Sequence, residues 1–202
     1  EIFVGGQDDL KTIVLDASGA AVLLGTTAAS GGATLPGLAR LTPEGDLDAG
    51  FGTGGIAVGD TYPWGGAKNT YGATAHLDGF LFAGNCTACG SGNTDGFFLY
   101  RTLASGDPDP GFGSAGWLGI ASGFNAGTNA WEVASTADGK ILLGATHKPV
   151  GAEEVWIYRL LPSGAPDPMF GGGDGLVTFL TPEDWNPSAI QYDPVAGAIY
   201  VG

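Results

Sequence analysis

Both cysteines of the chain stand in one short motif, Cys86-Thr87-Ala88-Cys89. Three chemistries use a C-x-x-C spacing: a local disulfide, a redox dithiol, and half of a zinc site. A redox pair needs its first thiol at a helix N-terminus, where a thiolate is stabilised, and the Gly-rich surroundings of Cys86 supply no helix. Zinc needs four ligands; no second C-x-x-C exists, and His147 would bring the set only to three. The expected state of Cys86 and Cys89 is a disulfide, which suits an oxidising compartment. The other reactive types are sparse. His76 and His147 are the only imidazoles, and neither sits in a Ser or Cys nucleophile frame. Glu153-Glu154 and Glu183-Asp184 have the residue types of a glycosidase carboxylate pair. Adjacent acids on a loop read more simply as solvated charge. The residues therefore favour binding over catalysis, with an enzyme built around a polar site as the remaining alternative.

Charge narrows the partners. Seven Lys and Arg against 21 Asp and Glu give a net charge of −14. Nucleic acid and anionic membranes both demand clustered cations, so neither is an expected partner. No run of 18 apolar residues spans a bilayer as a helix. Hydrophobic residues make up 44 % of the 202, enough to bury a core. The 38 glycines exclude a helical bundle, because each interior Gly costs about 0.5–1 kcal/mol relative to Ala.

Stepping along the chain, two motifs recur. The first runs from Arg40 to Gly52, from Arg101 to Gly113 and from Arg159 to Gly171, with spacings of 61 and 58 residues. Its frame is Arg, Gly five residues on, Asp eight on, and Phe-Gly at eleven and twelve. The second motif is an Asp- and Gly-containing turn running into an apolar strand that closes on Gly25, Gly84, Gly144 or Gly202, spaced 59, 60 and 58 residues apart. Two motifs sharing one period indicate a repeat architecture. Each unit parses into four short strands; in the third these are Trp131–Ala134, Lys140–Ala145, Val155–Leu160 and Leu176–Phe179. Pro is confined to the loops between them, as sheet ladders require. Four-stranded antiparallel units repeated radially make an all-β β-propeller. The units fall at 7–59, 60–121, 122–180 and, in part, 181–202, within a single propeller segment. Ile2-Phe3-Val4 reads as an outer strand of a preceding blade, so about four blades are represented and the propeller is expected to be open or incomplete. Residue 1 is Glu, with no basic-then-apolar leader after it, which suggests a removed signal peptide or a piece of a longer protein.

The repeated residues have scaffold roles available. Asp48, Asp109 and Asp167 are placed to accept backbone N–H groups in a turn, with Phe51, Phe112 and Phe170 buried between blades. A Ca2+ loop is the competing use, but only one acid recurs per unit, so no metal site and no cofactor are assigned. Arg40, Arg101 and Arg159 end the third strands and are expected to pair with a loop carboxylate of the same blade.

The two motifs together resemble the delta-60 repeat, a β-propeller repeat of bacterial secreted and surface proteins. Asp138-Gly139-Lys140-Ile141-Leu142-Leu143-Gly144 resembles its strand pair, and Arg40 to Gly55 resembles its turn segment. The likeness covers almost the whole chain. Asp107-Pro108-Asp109 and Ala165-Pro166-Asp167 depart from the family's small-Leu-Asp step. The resemblance implies a propeller and a secreted, periplasmic or cell-surface setting. It implies no reaction and no catalytic residue.

Specificity is expected where the units differ, on the loops of the face opposite the repeated turns. Tyr62, Trp64, Asn69, Phe124, Asn125, Trp185 and Asn186 are the candidates. Aromatic rings beside amides suit a glycan, by stacking plus hydrogen bonds, or a protein partner. The expected function is a non-catalytic binding or structural module, with a lectin-like propeller as the alternative. Unpaired blade edges also make self-association an expectation.

Overall fold

The computed structural model describes residues 8–16, 18–28, 34–60, 62–63, 68–87, 89, 95–122, 128–147, 153–180 and 187–202. Every regular element among them is a strand. The first blade contains β1 (Asp9–Leu15), β2 (Ala21–Ala28), β3 (Thr34–Arg40) and β4 (Ile56–Val58). The second contains β5 (Lys68–His76), β6 (Gly79–Cys86), β7 (Gly96–Thr102) and β8 (Trp117–Ala121). The third contains β9 (Thr128–Ser135), β10 (Ile141–His147), β11 (Glu154–Leu160) and β12 (Leu176–Leu180). A last pair, β13 (Ile190–Asp193) and β14 (Ala198–Val201), forms a two-stranded sheet. All pairings are antiparallel between consecutive strands, and no sheet closes on itself. The first strands, β1, β5, β9 and β13, touch one another in series, so they form the shared inner edge of the blades.

The second strands are apolar on both faces because both faces are covered. In β6, Phe80 and Phe82 face the first blade, where Val22, Leu24, Leu38 and Phe51 meet them. Leu81 and Ala83 face the third blade, where Ile141, Leu143 and Ala145 meet them. A third cluster joins Leu142, Val155 and Ile157 to Ile190. The first interface also holds an aromatic nest. Tyr62 meets Trp117 edge-on at 4.7 Å, and Tyr100 lies 4.2 Å from the same indole. Each such pair contributes about 0.5–1.5 kcal/mol beyond its buried area.

Pro36 lies within β3 opposite Thr26 rather than in a loop, and local geometry departs from the sequence reading in two further places. Gly19 and Gly139 take positive φ in their hairpins as expected, at 84° and 75°. In the second blade it is Leu77, at 53°, that adopts the left-handed conformation, and Gly79 serves another need. A Cβ there would collide with the carbonyl oxygen of Thr102. The second departure is a bulge in each complete inner strand. Register shifts fall between Leu10 and Thr12, Thr70 and Gly72, and Ala130 and Glu132. Lys11, Tyr71 and Trp131 are therefore the extra, unpaired residues, 60 apart in sequence. The bulges explain the closing glycines. A Cβ on Gly25, Gly84 or Gly144 would run into the bulged strand: Asp9 O, Asn69 O or the Trp131 indole. Ile2-Phe3-Val4 lies outside the described residues.

Candidate functional site

Two ends of the blades carry different chemistry. At the hairpin end the repeated Arg, Asp and Phe form one clamp, built three times. The backbone brings them together first: Asp48, Asp109 and Asp167 donate their N–H groups to the carbonyls of Arg40, Arg101 and Arg159 at 2.9, 3.0 and 2.9 Å. Each carboxylate then closes an Asx turn, accepting from Gly50 N, Gly111 N or Met169 N at 3.0, 2.7 and 2.9 Å. Its other oxygen takes the guanidinium. Arg101 Nε donates to Asp109 Oδ2 at 2.6 Å and Arg159 Nε to Asp167 Oδ2 at 2.7 Å. Arg40 differs: it meets Asp48 at 3.4 Å and Asp16 at 2.9 Å. The Met169 N–H and the Arg159 guanidinium hold the Asp167 carboxyl below the usual range, against the desolvation that raises it. These aspartates have their lone pairs engaged within the turn. No group of three or more metal-ligating side chains occurs among the described residues.

Phe51 and Phe112 are buried between blades, at 2 % and 0 % exposure. Phe170 is only half-buried, contrary to the sequence expectation. The reason is geometric. A Cβ on Gly106 would stand 2.8 Å from Phe51 Cζ, and one on Gly164 would stand 3.2 Å from Phe112 Cε2. Each ring is thus capped by the turn glycine of the following blade, and Phe170 has no such turn over it among the described residues.

The remaining sequence candidates separate. Cys86 and Cys89 are joined in a disulfide, with Cα atoms 5.6 Å apart, buried at the first blade interface. Tyr62 is a core residue, 6 % exposed, and desolvation pushes its phenol far above the ordinary value. Asn69 is exposed on β5, paired in register with Asn85. Trp64, Phe124, Asn125, Trp185 and Asn186 lie outside the described residues. His76 is buried on β5, its Nδ1 2.8 Å from Ser135 Oγ. Desolvation, helped by the Arg101 charge, pushes its imidazole down to about 4. A histidine kept neutral and enclosed in this way ties β5 to β9.

At the opposite, loop end the inner strands form a pocket of about 300 Å3, lined by Tyr71, Asn129, Ala130, Trp131, Thr146, Glu153 and Pro187. Its aromatic walls are two of the bulged residues. Tyr71 is 41 % exposed, which leaves ring surface free for contact. The indole nitrogen of Trp131 is buried and makes no hydrogen bond among the described residues. The amide of Asn85 fixes the floor: its Nδ2 donates to Asn129 Oδ1 at 2.8 Å, and its Oδ1 accepts from Ala130 N at 2.5 Å. This clamp crosses from the second blade to the third. Next to it, Glu132 is desolvated, which raises its carboxyl, and its Oε1 accepts from Val133 N at 2.9 Å. Among the described residues the lining has one carboxylate and no cation, a set that suits a neutral or cationic ligand better than an anion. Tyr71 and Trp131 are not among the loop candidates named from the sequence. The signal that finds them is the 60-residue spacing of residues opposite the closing glycines.

Comparison with known proteins adds one finding. No curated protein and no solved structure is similar enough to match. A family model described as a domain of unknown function (DUF5122), β-propeller, matches residues 22–51, the stretch from the β2 strand through the first Arg–Asp–Phe clamp, and the architecture is accordingly all-β and of the propeller type.

Proposed function

We propose that this chain is a non-catalytic binding module of an exported bacterial protein, built from delta-60-type repeats, that takes a neutral, hydroxyl-rich ligand such as a glycan unit at the loop end of its inner strands. The observation that carries the reading is the pocket between Tyr71 and Trp131. It joins exposed aromatic surface to an amide, a hydroxyl and a carboxylate: Asn129, Thr146 and Glu153. A sugar presents an apolar face of C–H bonds and an edge of hydroxyls, and rings beside polar groups match both. The disulfide at Cys86 and Cys89 supports an oxidising, extracytoplasmic location. The net charge of −14 argues against anionic ligands.

A glycan panel read with purified chain tests the proposal. At least one neutral oligosaccharide should bind, and Tyr71→Ala should weaken it about tenfold, the loss of one stacking contact of about 1–1.5 kcal/mol. Binding of no glycan at millimolar concentration would rule this ligand class out and leave a protein partner as the reading to pursue, and full binding by Tyr71→Ala would rule out this pocket as the glycan site.

A further inference from the structure

We propose that the glycan site continues one blade back from the pocket into a second subsite, made by Lys11, Asp9, Asn69 and Tyr71, so that the ligand is a linear chain of neutral sugar units laid across the inner strands. The inference rests on the reading of the Tyr71–Trp131 pocket as a glycan site. That pocket, of about 300 Å3, is at the small end of ligand cavities and has room for about one sugar ring. One ring with one stacking contact does little to offset the freedom lost on association, so a tighter ligand has to make contacts beyond the pocket.

The repeat specifies where those contacts lie. β1 touches β5 as β5 touches β9. In the pocket, Tyr71 is the bulged residue of one inner strand, and Asn129 and Trp131 belong to the next. One blade back, the same three places are held by Lys11, Asn69 and Tyr71. Tyr71 is thus common to both sets, and 41 % of it is exposed. A row of amides joins them. Asn69 pairs in register with Asn85, which puts the two side chains on one face of the sheet. Asn85 Nδ2 in turn donates to Asn129 Oδ1 at 2.8 Å. Sheets packed face to face stand about 10 Å apart, so a ligand reaching from Trp131 past Tyr71 to Lys11 is longer than one sugar ring.

The chemistry of the second set differs from that of the first and selects a neutral unit. Lys11 Nζ donates to Asp9 Oδ2 at 2.6 Å, and the two charges cancel. The lysine side chain is 20 % exposed and the aspartate 65 %. An ammonium carries three donors and a carboxylate has lone pairs to spare, so the pair offers a donor beside an acceptor. Vicinal sugar hydroxyls, each able to donate and accept, match that arrangement. An acidic sugar would bring its carboxylate against Asp9.

The test titrates the intact chain, by calorimetry, with linear glucan, mannan and galactan fragments of one to four units. In the series that binds, affinity should rise at least tenfold from one unit to three, the scale of an added set of hydrogen-bonded contacts. Lys11→Met keeps the apolar stem and removes the ammonium; in it, three units should bind no tighter than one. If Lys11→Met does not fold, Asn69→Ala, at an exposed position, should remove most of the gain instead. Tyr71→Ala should weaken every length. Equal affinity for all lengths in the unaltered chain, or a gain kept in full by whichever of the two variants folds, would overturn the second subsite and leave the pocket as a single-unit site. Tighter binding of a galacturonan than of the galactan of equal length would overturn its preference for a neutral unit. Binding of no fragment in any series would overturn the glycan reading itself, and the second subsite with it.

Discussion

Arg101 grips Asp109 with Nε at 2.6 Å and lays its guanidinium carbon 4.6 Å above the ring of Phe112. One side chain thus fastens the end of a strand to the turn that follows it and to the ring that packs the next blade. Its Nη1 also donates to the carbonyl of Pro162, in the third blade, at 2.6 Å. Lysine cannot reproduce this planar fork. Arg101→Lys should cost about 2 kcal/mol, the scale of a charge-assisted hydrogen bond left unmade. Arg40→Lys should cost less than half of that, since its contact with Asp48 is 3.4 Å long and its side chain is 25 % exposed. Urea unfolding of the two variants checks the ranking.

The turn glycines are not equivalent. Gly106 has φ of 88°, and a Cβ there would stand 2.5 Å from Ala57 Cβ and 2.8 Å from Phe51 Cζ. Gly45 has φ of 92° and open space around it. Gly45→Ala should therefore cost only the left-handed conformation, about 1 kcal/mol. Gly106→Ala adds overpacking and should cost about 3 kcal/mol in all. Equal melting temperatures for the two variants would contradict the capping geometry.

Acid should weaken the fold through His76. Its folded-state value near 4 lies below the ordinary 6.5, chiefly from desolvation and then from Arg101, with Asp78 and Asp109 pulling the other way. The unfolded chain binds this proton first as pH falls. The stabilisation is therefore full above pH 6.5 and is lost as pH drops from 6.5 towards 4. At 1.36 kcal/mol per unit the whole loss is on the order of 3 kcal/mol. Asp16 and Asp167, both held below 3.8, extend the decline under pH 4 as they protonate. Urea midpoints at pH 7.5 and 5.0 should differ in the wild type and converge in His76→Gln.

Reduction of Cys86–Cys89 should be mild. The bridge closes a loop with a sequence separation of 3, and chain-entropy arithmetic for so small a loop gives about 2 kcal/mol. Thermal melts with and without a thiol reductant should differ by several degrees, with the β-sheet signal in circular dichroism retained below the transition.

Much of the scaffold was legible because its physics is local. The Arg–Asp–Phe–Gly frame fixes a turn within twelve residues, and strand pairs joined through Asp138-Gly139 announce a hairpin in the sequence itself. Non-local features were hidden. Phe170 stands in the same Arg–Asp–Phe–Gly frame as Phe112, yet its exposure depends on what stands in the adjacent blade. Tyr62 sits in a stretch that reads as loop, but its ring reaches Phe98 and Trp117. Tyr71 and Trp131 fall in strands whose alternation looks regular, and a bulge shifts register without changing composition. Of the loop candidates, Tyr62 lies in the core and Asn69 is exposed on β5, and the other five lie outside the described residues.

The bulges have one more consequence. A residue that belongs to neither ladder spacing is free of the pairing rules that govern its neighbours. Lys11, Tyr71 and Trp131 are a cation, a phenol and an indole at one address in three successive blades, each tolerated because a glycine across the strand makes room. The architecture thus varies side-chain chemistry at one address per blade while the frame that carries it repeats.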